Sequence, residues 1–314
     1  MSKQKVLLPV IALIIAHILW GINFPIIKLG VATIPVLIFI AVRFFAASLI
    51  LLPFAIKSWK PLKQKDLLIM ILASIMWIAF TAVTLNTGLK YAPSINAGVI
   101  NLLGPLILAF FSVEFLKERM SFKAILGALV AFAGAAVIIG KPWEISLEGE
   151  SVMLGNILFF ASMLGAVIST LLAKPVMKKM SSYQAAFMFL FPGVLCVIPL
   201  ALTQIDGWSI SDVSKTSFLA LIYSIFAITL ANLFYMYGLK YKPASSIGIF
   251  TYLESVSIFV AAWFILGERP SATFALGAAL VFVGIYLAEF HLPRKSKRKA
   301  TRHKWYGHFI AKFH

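Results

Sequence analysis

Near the N-terminus, four chemically distinct side chains are spaced as neighbours on one face of a helix. They follow one another at steps of three, four and four residues: His17, Trp20, Phe24 and Lys28. The aromatic rings could pack against apolar molecules or attract an ammonium group, and the imidazole could take up a proton near neutral pH. The structural alternative is that the rings fill space between helices and His17 hydrogen-bonds a neighbouring helix.

Two ionisable residues, Arg43 and Glu254, lie near the middle of long apolar segments. Charges at such positions are costly and usually face an interior or a wet cavity. Glu254 corresponds to Gly104 in the internal repeat described below, an asymmetry suited to an asymmetric ligand. The alternative is a structural network, including an ion pair between Arg43 and Glu254.

Further polar residues recur at helical spacing along several apolar segments. As a set they predict one cavity that binds a small molecule, walled by Trp20, Asn23, Phe24, Arg43, Trp77, Thr81, Asn101, Asn232, Tyr235, Thr251 and Glu254. Ser162 and Ser169 form a comparable pair, and Pro105 would free a backbone carbonyl toward the cavity. Taken singly, such a residue more often holds two helices together.

No combination of residues typical of an enzyme occurs in the chain. The acidic residues are scattered, and the sequence has no H-E-x-x-H motif, no paired aspartates and no nucleotide-binding glycine loop. We therefore expect a protein that is not an enzyme, holds no metal or cofactor and is not driven by ATP.

The elements that must position these residues are membrane helices. The 314 residues are 61% hydrophobic and 12% charged, too few charges to cover a water-exposed surface. Ten apolar runs are long enough to cross a bilayer as helices: 6–27, 34–56, 67–89, 94–116, 121–140, 152–173, 183–203, 216–239, 244–266 and 271–290. The predicted fold class is therefore an all-α integral membrane protein with ten transmembrane helices.

The net charge of +17 is distributed as a topology signal. Most lysines and arginines fall in alternate loops, on the side that also holds both termini, which places the termini in the cytoplasm and the protein in the plasma (inner) membrane. The basic tail, 291–314, is expected either to lie on anionic lipid or to remain solvated. Nucleic acid is not an expected partner.

The chain contains an internal repeat. Residues 88–137 correspond to 238–287, beginning with GLKYAPSINAG and GLKYKPASSIG. Five helices per half is an odd number, so matching helices cross in opposite senses, as in transporters built from inverted repeats that alternate access to a central site. The predicted domains are a first five-helix repeat, an external linker, a second five-helix repeat and the tail: 1–140, 141–151, 152–290 and 291–314.

Several motifs resemble the EamA-type branch of the drug/metabolite transporter superfamily: Trp20-Gly21-x-Asn23-Phe24 with Lys28, Arg43-Phe44, Tyr91-x-Pro93, Pro105, and the Leu-x-Glu ends at Leu116–Glu118 and Leu266–Glu268. The resemblance covers the chain to about residue 290. It implies a fold of two inverted five-helix repeats and secondary transport, commonly efflux, of small organic metabolites such as amino acids.

The sequence thus predicts a secondary exporter, with His17 and Glu254 as candidates for proton coupling. A lipid or polyprenyl-sugar flippase and a non-transporting membrane scaffold are the alternatives. Small residues around Gly134 and Gly284 are expected to pack helices within the fold or across a dimer, so monomer and homodimer both stay open. Glu118 and Glu268 are expected to cap or tether the turns that follow them.

Overall fold

The computed structural model describes residues 3–107, 111, 122–140, 147–242 and 244–289, which form helices joined by turns and short loops and contain no β-strand. The basic tail and Glu118 lie outside these residues. The helices are α1 Lys3–Gly30, α2 Val36–Lys57, α3 Gln64–Tyr91, α4 Ser94–Asn101, α5 Phe122–Gly140, α6 Leu147–Ala173, α7 Ser182–Leu202, α8 Lys215–Tyr241, α9 Ala244–Leu266 and α10 Ala272–Glu289.

Six of these helices, α1, α2, α3, α6, α7 and α8, are long and apolar enough to cross a membrane. Shorter apolar helices cover Ser94–Ile107, Leu129–Ile138, Phe250–Leu266 and Ala272–Gly284 within the described residues. The predicted all-helical membrane class is confirmed, whereas the count of ten crossings stays a prediction.

Helix α3 changes its winding halfway along its length. Residues Gln64–Ile75 and Val83–Tyr91 are α-helical, and Met76–Ala82 between them is π-helical. Two hydrogen bonds tie this region to neighbouring helices. The Ser162 hydroxyl of α6 donates to the carbonyl of Thr81 at 3.0 Å, and the backbone N–H of Gly193 in α7 donates to the Ser74 hydroxyl at 2.7 Å. π-Helical turns often lie at functional sites, and this one carries two predicted site residues.

Helix α4 is interrupted directly after Asn101. Residues 102 and 103 form a turn, and helical backbone resumes at 104–107. The cause is Pro105, which has no N–H to donate to the carbonyl four residues earlier, at Asn101. The predicted release of a carbonyl by Pro105 therefore coincides with a real break in the helix.

Helix packing follows one scheme in both halves of the chain. Helix α1 packs against α8 and α9, while α6 packs against α3 and α4; α2 pairs with α7, and α5 pairs with α10. Each helix of the first half corresponds to the helix five numbers later. This correspondence turns the contacts of α1 with α8 and α9 into those of α6 with α3 and α4, and it turns the pairs α2–α7 and α5–α10 into themselves.

The contact between α5 and α10 is made by glycines. A Cβ placed on Gly134 would lie 2.6 Å from the carbonyl oxygen of Gly277, and one on Gly284 would lie 2.3 Å from the backbone nitrogen of Ala131. The two backbones approach this closely only because these positions lack side chains. Of the two predicted roles, packing within the fold is the one that the structure gives to these small residues.

A carboxylate after α9 caps the start of α4. Glu268 accepts hydrogen bonds from the backbone N–H groups of Ser94 and Ile95, both at 3.1 Å, and from the Ser94 hydroxyl at 2.8 Å. It also pairs with Lys28 Nζ at 2.8 Å. The expectation that Glu268 serves its own following turn is wrong, because both of its oxygens bind Lys28 and the start of α4. Ser271, a good N-cap residue by type, does cap α10 by accepting a backbone N–H at 3.1 Å. Glu268 instead ties together α1, α4 and the end of α9.

Candidate functional site

A cavity of about 150 Å³ lies between α1, α2, α3, α4, α6, α8 and α9. It is lined by all but one of the predicted site residues, which six of these helices bring together: His17, Trp20, Asn23, Phe24, Arg43, Trp77, Thr81, Asn101, Tyr235, Thr251 and Glu254. The helical spacing that grouped these residues along each segment thus corresponds to faces that converge in space.

Asn232 is the predicted site residue that does not line the cavity. It is fully buried, and its Nδ2 donates to the carbonyl of Ile228 at 2.9 Å, one turn earlier in α8. Ile228 and Tyr235, on the same face of α8, do line it. Asn232 thus has the predicted helical spacing, but its amide is bound to its own helix and does not reach the cavity.

Aromatic rings form a continuous cluster on one side of the cavity. The ring centroid of Trp20 lies 4.8 Å from that of Tyr235, 5.6 Å from that of Trp77 and 5.4 Å from that of His17. Phe250 from α9 adds a ring 5.8 Å from His17. These separations are typical of stabilising edge and tilted ring contacts, so the rings support one another as a largely apolar wall.

His17 is held in one tautomer by its own helix. Its Nδ1 lies 2.8 Å from the carbonyl oxygen of Leu13, and because a carbonyl can only accept, Nδ1 must carry the proton. In the neutral ring Nε2 is then the acceptor. The predicted hydrogen bond to a neighbouring helix is therefore replaced by one within α1, which leaves Nε2 as the nitrogen that can exchange a proton.

Arg43 is a buried cation that has no counter-ion among the described residues. Its side chain is 2% exposed, and its guanidinium carbon lies 4.5 Å from the ring centroid of Phe44 and 5.3 Å from that of Phe39. Nε and Nη1 are buried and have no hydrogen-bond partner in the described part of the chain. The ring contacts provide cation–π attraction, but these N–H groups remain available to a ligand.

Glu254 occupies another wall of the same cavity. It is 8% exposed, and its Oε1 accepts a long hydrogen bond of 3.4 Å from Asn101 Nδ2, beside the break in α4. The ion pairs found among the described residues, Lys28 with Glu268 and Lys179 with Asp66, do not include Arg43 or Glu254. The two ionisable side chains therefore line one cavity without forming an ion pair with each other.

Most buried side-chain atoms that lack a hydrogen-bond partner in the described residues lie on cavity residues. They are Trp20 Nε1, Trp77 Nε1, Thr81 Oγ1, and Nε and Nη1 of Arg43. Buried polar atoms are nearly always paired, and leaving one unpaired costs about 1–3 kcal/mol. Their concentration at the cavity indicates a site that is completed by a ligand or by water.

Helix α6 contributes residues that sequence reasoning missed. Thr170 lines the cavity and its hydroxyl lies 2.9 Å from that of Tyr235, whereas the Ser169 hydroxyl turns back to the carbonyl of Ala166 at 2.9 Å. Thr170 lies two steps of four residues after Ser162, with Ala166 between them, so helical spacing places all three residues on one face of α6. The sequence therefore could have indicated Thr170 as a site residue in place of Ser169.

The EamA-like transporter family matches the sequence twice, over residues 7–140 and 153–290. The chain belongs to the EamA-like transporter family. The resemblance drawn from the motifs is thereby confirmed, and with its apolar helices this EamA-like chain is a multi-pass membrane protein.

Curated relatives of this EamA-like chain are named as transporters. YetK, an uncharacterized transporter of Bacillus subtilis (strain 168), is 29% identical over 83% of this chain and 80% of its own length. A probable amino-acid metabolite efflux pump of Escherichia coli (strain K12) is 26% identical, with 90% and 95% covered. A probable terminal-alkyne amino-acid exporter of Streptantibioticus cattleyicolor is 25% identical, with 88% and 91% covered.

A protein of known crystal structure shares the fold. It matches with a TM-score of 0.61 at 18% sequence identity, covering 94% of this chain and 100% of that one. At this level of identity the match concerns the arrangement of helices and not the ligand.

Proposed function

We propose that this protein is a secondary transporter that exports small organic metabolites such as amino acids, by alternating access through the central cavity. The observation that carries the proposal is the cavity itself. Helices from both halves enclose it, aromatic rings line one side, and buried donors on its walls lack partners among the described residues. Such a site suits a small molecule with an apolar part and polar groups.

The repeat supports alternating access as the mechanism. The family match falls once in each half, and the helix contacts of the first half have counterparts in the second. With five helices per half, we propose that the halves are inverted in the membrane and rock against each other around the cavity.

We also propose the orientation. The predicted cytoplasmic loops hold most of the lysines and arginines, so both termini lie in the cytoplasm and the protein lies in the plasma (inner) membrane. In this orientation the cap formed by Glu268 and Lys28 lies on the outer side of the membrane. The basic tail, 291–314, would then be near the anionic cytoplasmic leaflet.

Reconstitution tests this proposal directly. Liposomes containing the purified protein are loaded with a panel of labelled amino acids and amphiphilic metabolites, and release is followed with and without a pH gradient. Trp20→Ala and Glu254→Gln should each reduce release to that of protein-free liposomes at unchanged protein content. Trp263→Ala is the matched control, because this tryptophan of α9 is 57% exposed and does not line the cavity.

Distinct results would contradict distinct parts of the proposal. Wild-type flux in both cavity variants would remove the cavity from the substrate path. Release that ignores the pH gradient would contradict the candidate role of His17 and Glu254 in proton coupling and favour facilitated diffusion. Movement of a fluorescent lipid probe without flux of soluble metabolites would favour the flippase alternative.

A further inference from the structure

Among the buried side-chain atoms that have no hydrogen-bond partner in the described part of the protein, those of the Arg43 guanidinium are the ones that belong to a cation. Burying a charge is costly unless it is paired and hydrogen-bonded, yet Arg43 is 2% exposed and has no hydrogen-bond or ionic partner among the described residues. The faces of Phe39 and Phe44 hold it in place from within α2. They supply no group that could accept its N–H bonds.

We propose that Arg43 binds a carboxylate of the substrate, so that the cavity selects metabolites that carry one. The proposal rests on the transport function proposed above and adds to it a chemical class and the residue that recognises it. The guanidinium presents five N–H donors in a planar fork that matches the two oxygens of a carboxylate. A bound carboxylate supplies the counter-charge and the acceptors that the protein leaves out.

Neighbouring groups on the cavity wall favour the same ligand chemistry. The indole N–H groups of Trp20 and Trp77 are also buried without partners in the described structure, as is the hydroxyl of Thr81. An indole N–H can only donate. The walls therefore offer an excess of donors, which is complementary to a group that accepts several hydrogen bonds.

A carboxylate fits this cavity better than a phosphate does. Arg43 is the single arginine or lysine among the lining residues that the structure describes, and Glu254 lines the same space. A phosphate monoester carries a charge of about −1.5 to −2, so one cation would leave it incompletely neutralised beside a second acidic group. A carboxylate needs one counter-charge, and an ammonium group elsewhere on the same molecule could meet Glu254 or the aromatic rings.

Matched pairs of ligands that differ only at the carboxyl group test the assignment. Equilibrium binding to the purified full-length protein is measured for L-phenylalanine and L-phenylalaninamide, for L-leucine and L-leucinamide, and for phenyl phosphate. In the wild type we expect each acid to bind about tenfold more tightly than its amide, or better, as is typical of charge-assisted hydrogen bonds. Phenyl phosphate should bind more weakly than the acids.

Variants in α2 identify the residue responsible. Arg43→Gln should bring the ratio of acid to amide affinity close to one. Arg43→Lys keeps the positive charge but loses the planar set of N–H donors, so it should still bind the acid more tightly than the amide, by a smaller ratio than the wild type. If Arg43→Gln does not fold, the smaller ratio in Arg43→Lys still tests the role of the guanidinium. Lys57→Gln, which removes an exposed cation at the end of the same helix, should bind like the wild type.

Binding and flux together separate this assignment from the proposed function. Equal affinity for acid and amide in the wild type, an unchanged ratio in Arg43→Gln, tighter binding of phenyl phosphate, or no binding of either acid would each overturn the role of Arg43. Release of amides as fast as acids from liposomes would overturn it while leaving the transport function intact. Acid binding that depends on Arg43, with no release of any metabolite, would instead contradict transport alone.

Discussion

Replacing Gly134 by alanine should force α5 and α10 apart. A Cβ on Gly134 would lie 2.6 Å from the carbonyl oxygen of Gly277 and 2.7 Å from the backbone nitrogen of Val281, whereas ordinary contacts of a Cβ begin at 3.4 Å. The two helices must therefore separate by about 0.8 Å at this point. Both obstructing atoms belong to the backbone, so no side-chain rotation can relieve the clash.

The expected loss of stability follows from that separation. A gap of about 0.5–1 Å removes roughly a quarter to a half of the dispersion energy of the contacts across it, and overpacking typically costs about 1–3 kcal/mol. The better helix propensity of alanine returns up to about 1 kcal/mol. Because both obstructing atoms belong to the backbone, we expect a cost in the upper part of that range, about 2–3 kcal/mol. The free energy of unfolding should then fall by about 1–2 kcal/mol, which raises the unfolded fraction roughly 5- to 30-fold.

Unfolding by SDS in mixed detergent micelles, followed by circular dichroism, measures this change. Gly104→Ala is the matched control, because its Cβ would meet nothing closer than Met163 Cγ at 3.6 Å. We expect this control to be at least as stable as the wild type. Gly277→Ala places a Cβ 2.8 Å from the carbonyl oxygen of Gly134 and should be destabilised like Gly134→Ala. The close approach of α5 and α10 would be refuted if Gly134→Ala unfolded at the same SDS fraction as Gly104→Ala.

Two further predictions concern polar contacts at the ends of helices. Glu268→Gln removes the negative charge that Lys28 and the start of α4 share, so we expect the free energy of unfolding to fall by about 1–3 kcal/mol in the same SDS titration; an unchanged midpoint would show that the cap adds no stability. Burial, and secondly the charge of Lys178, lowers the pKa of Lys174 from 10.5 to about 8. Between about pH 8 and 10.5 Lys174 is more protonated in the unfolded chain than in the folded one, so the free energy of unfolding of the wild type should rise with pH relative to that of Lys174→Met. Parallel profiles of unfolding free energy against pH for the two proteins would contradict this prediction.

Local regularities explain what could be read from the sequence. Apolar runs long enough to cross a bilayer predict helices because hydrocarbon leaves no water to bind an unpaired backbone. Within α1, the period of 3.6 residues places Trp20 beside Phe24 whatever the rest of the chain does. The break after Asn101 was equally foreseeable, since its cause, Pro105, lies four residues away.

Contacts between distant segments explain what could not be read. The π-helical turn in α3 and the binding of Glu268 to the start of α4 depend on which helices meet and at what height, and no local period encodes that choice.

The sequence by itself determined a membrane protein of ten predicted helices with polar stripes, because burial in lipid and helical periodicity act on neighbouring residues. Only the tertiary structure decided which stripes share one cavity and that Arg43 and Glu254 line it without pairing with each other, because the partners of a buried ionisable group are set by packing between segments far apart in the chain.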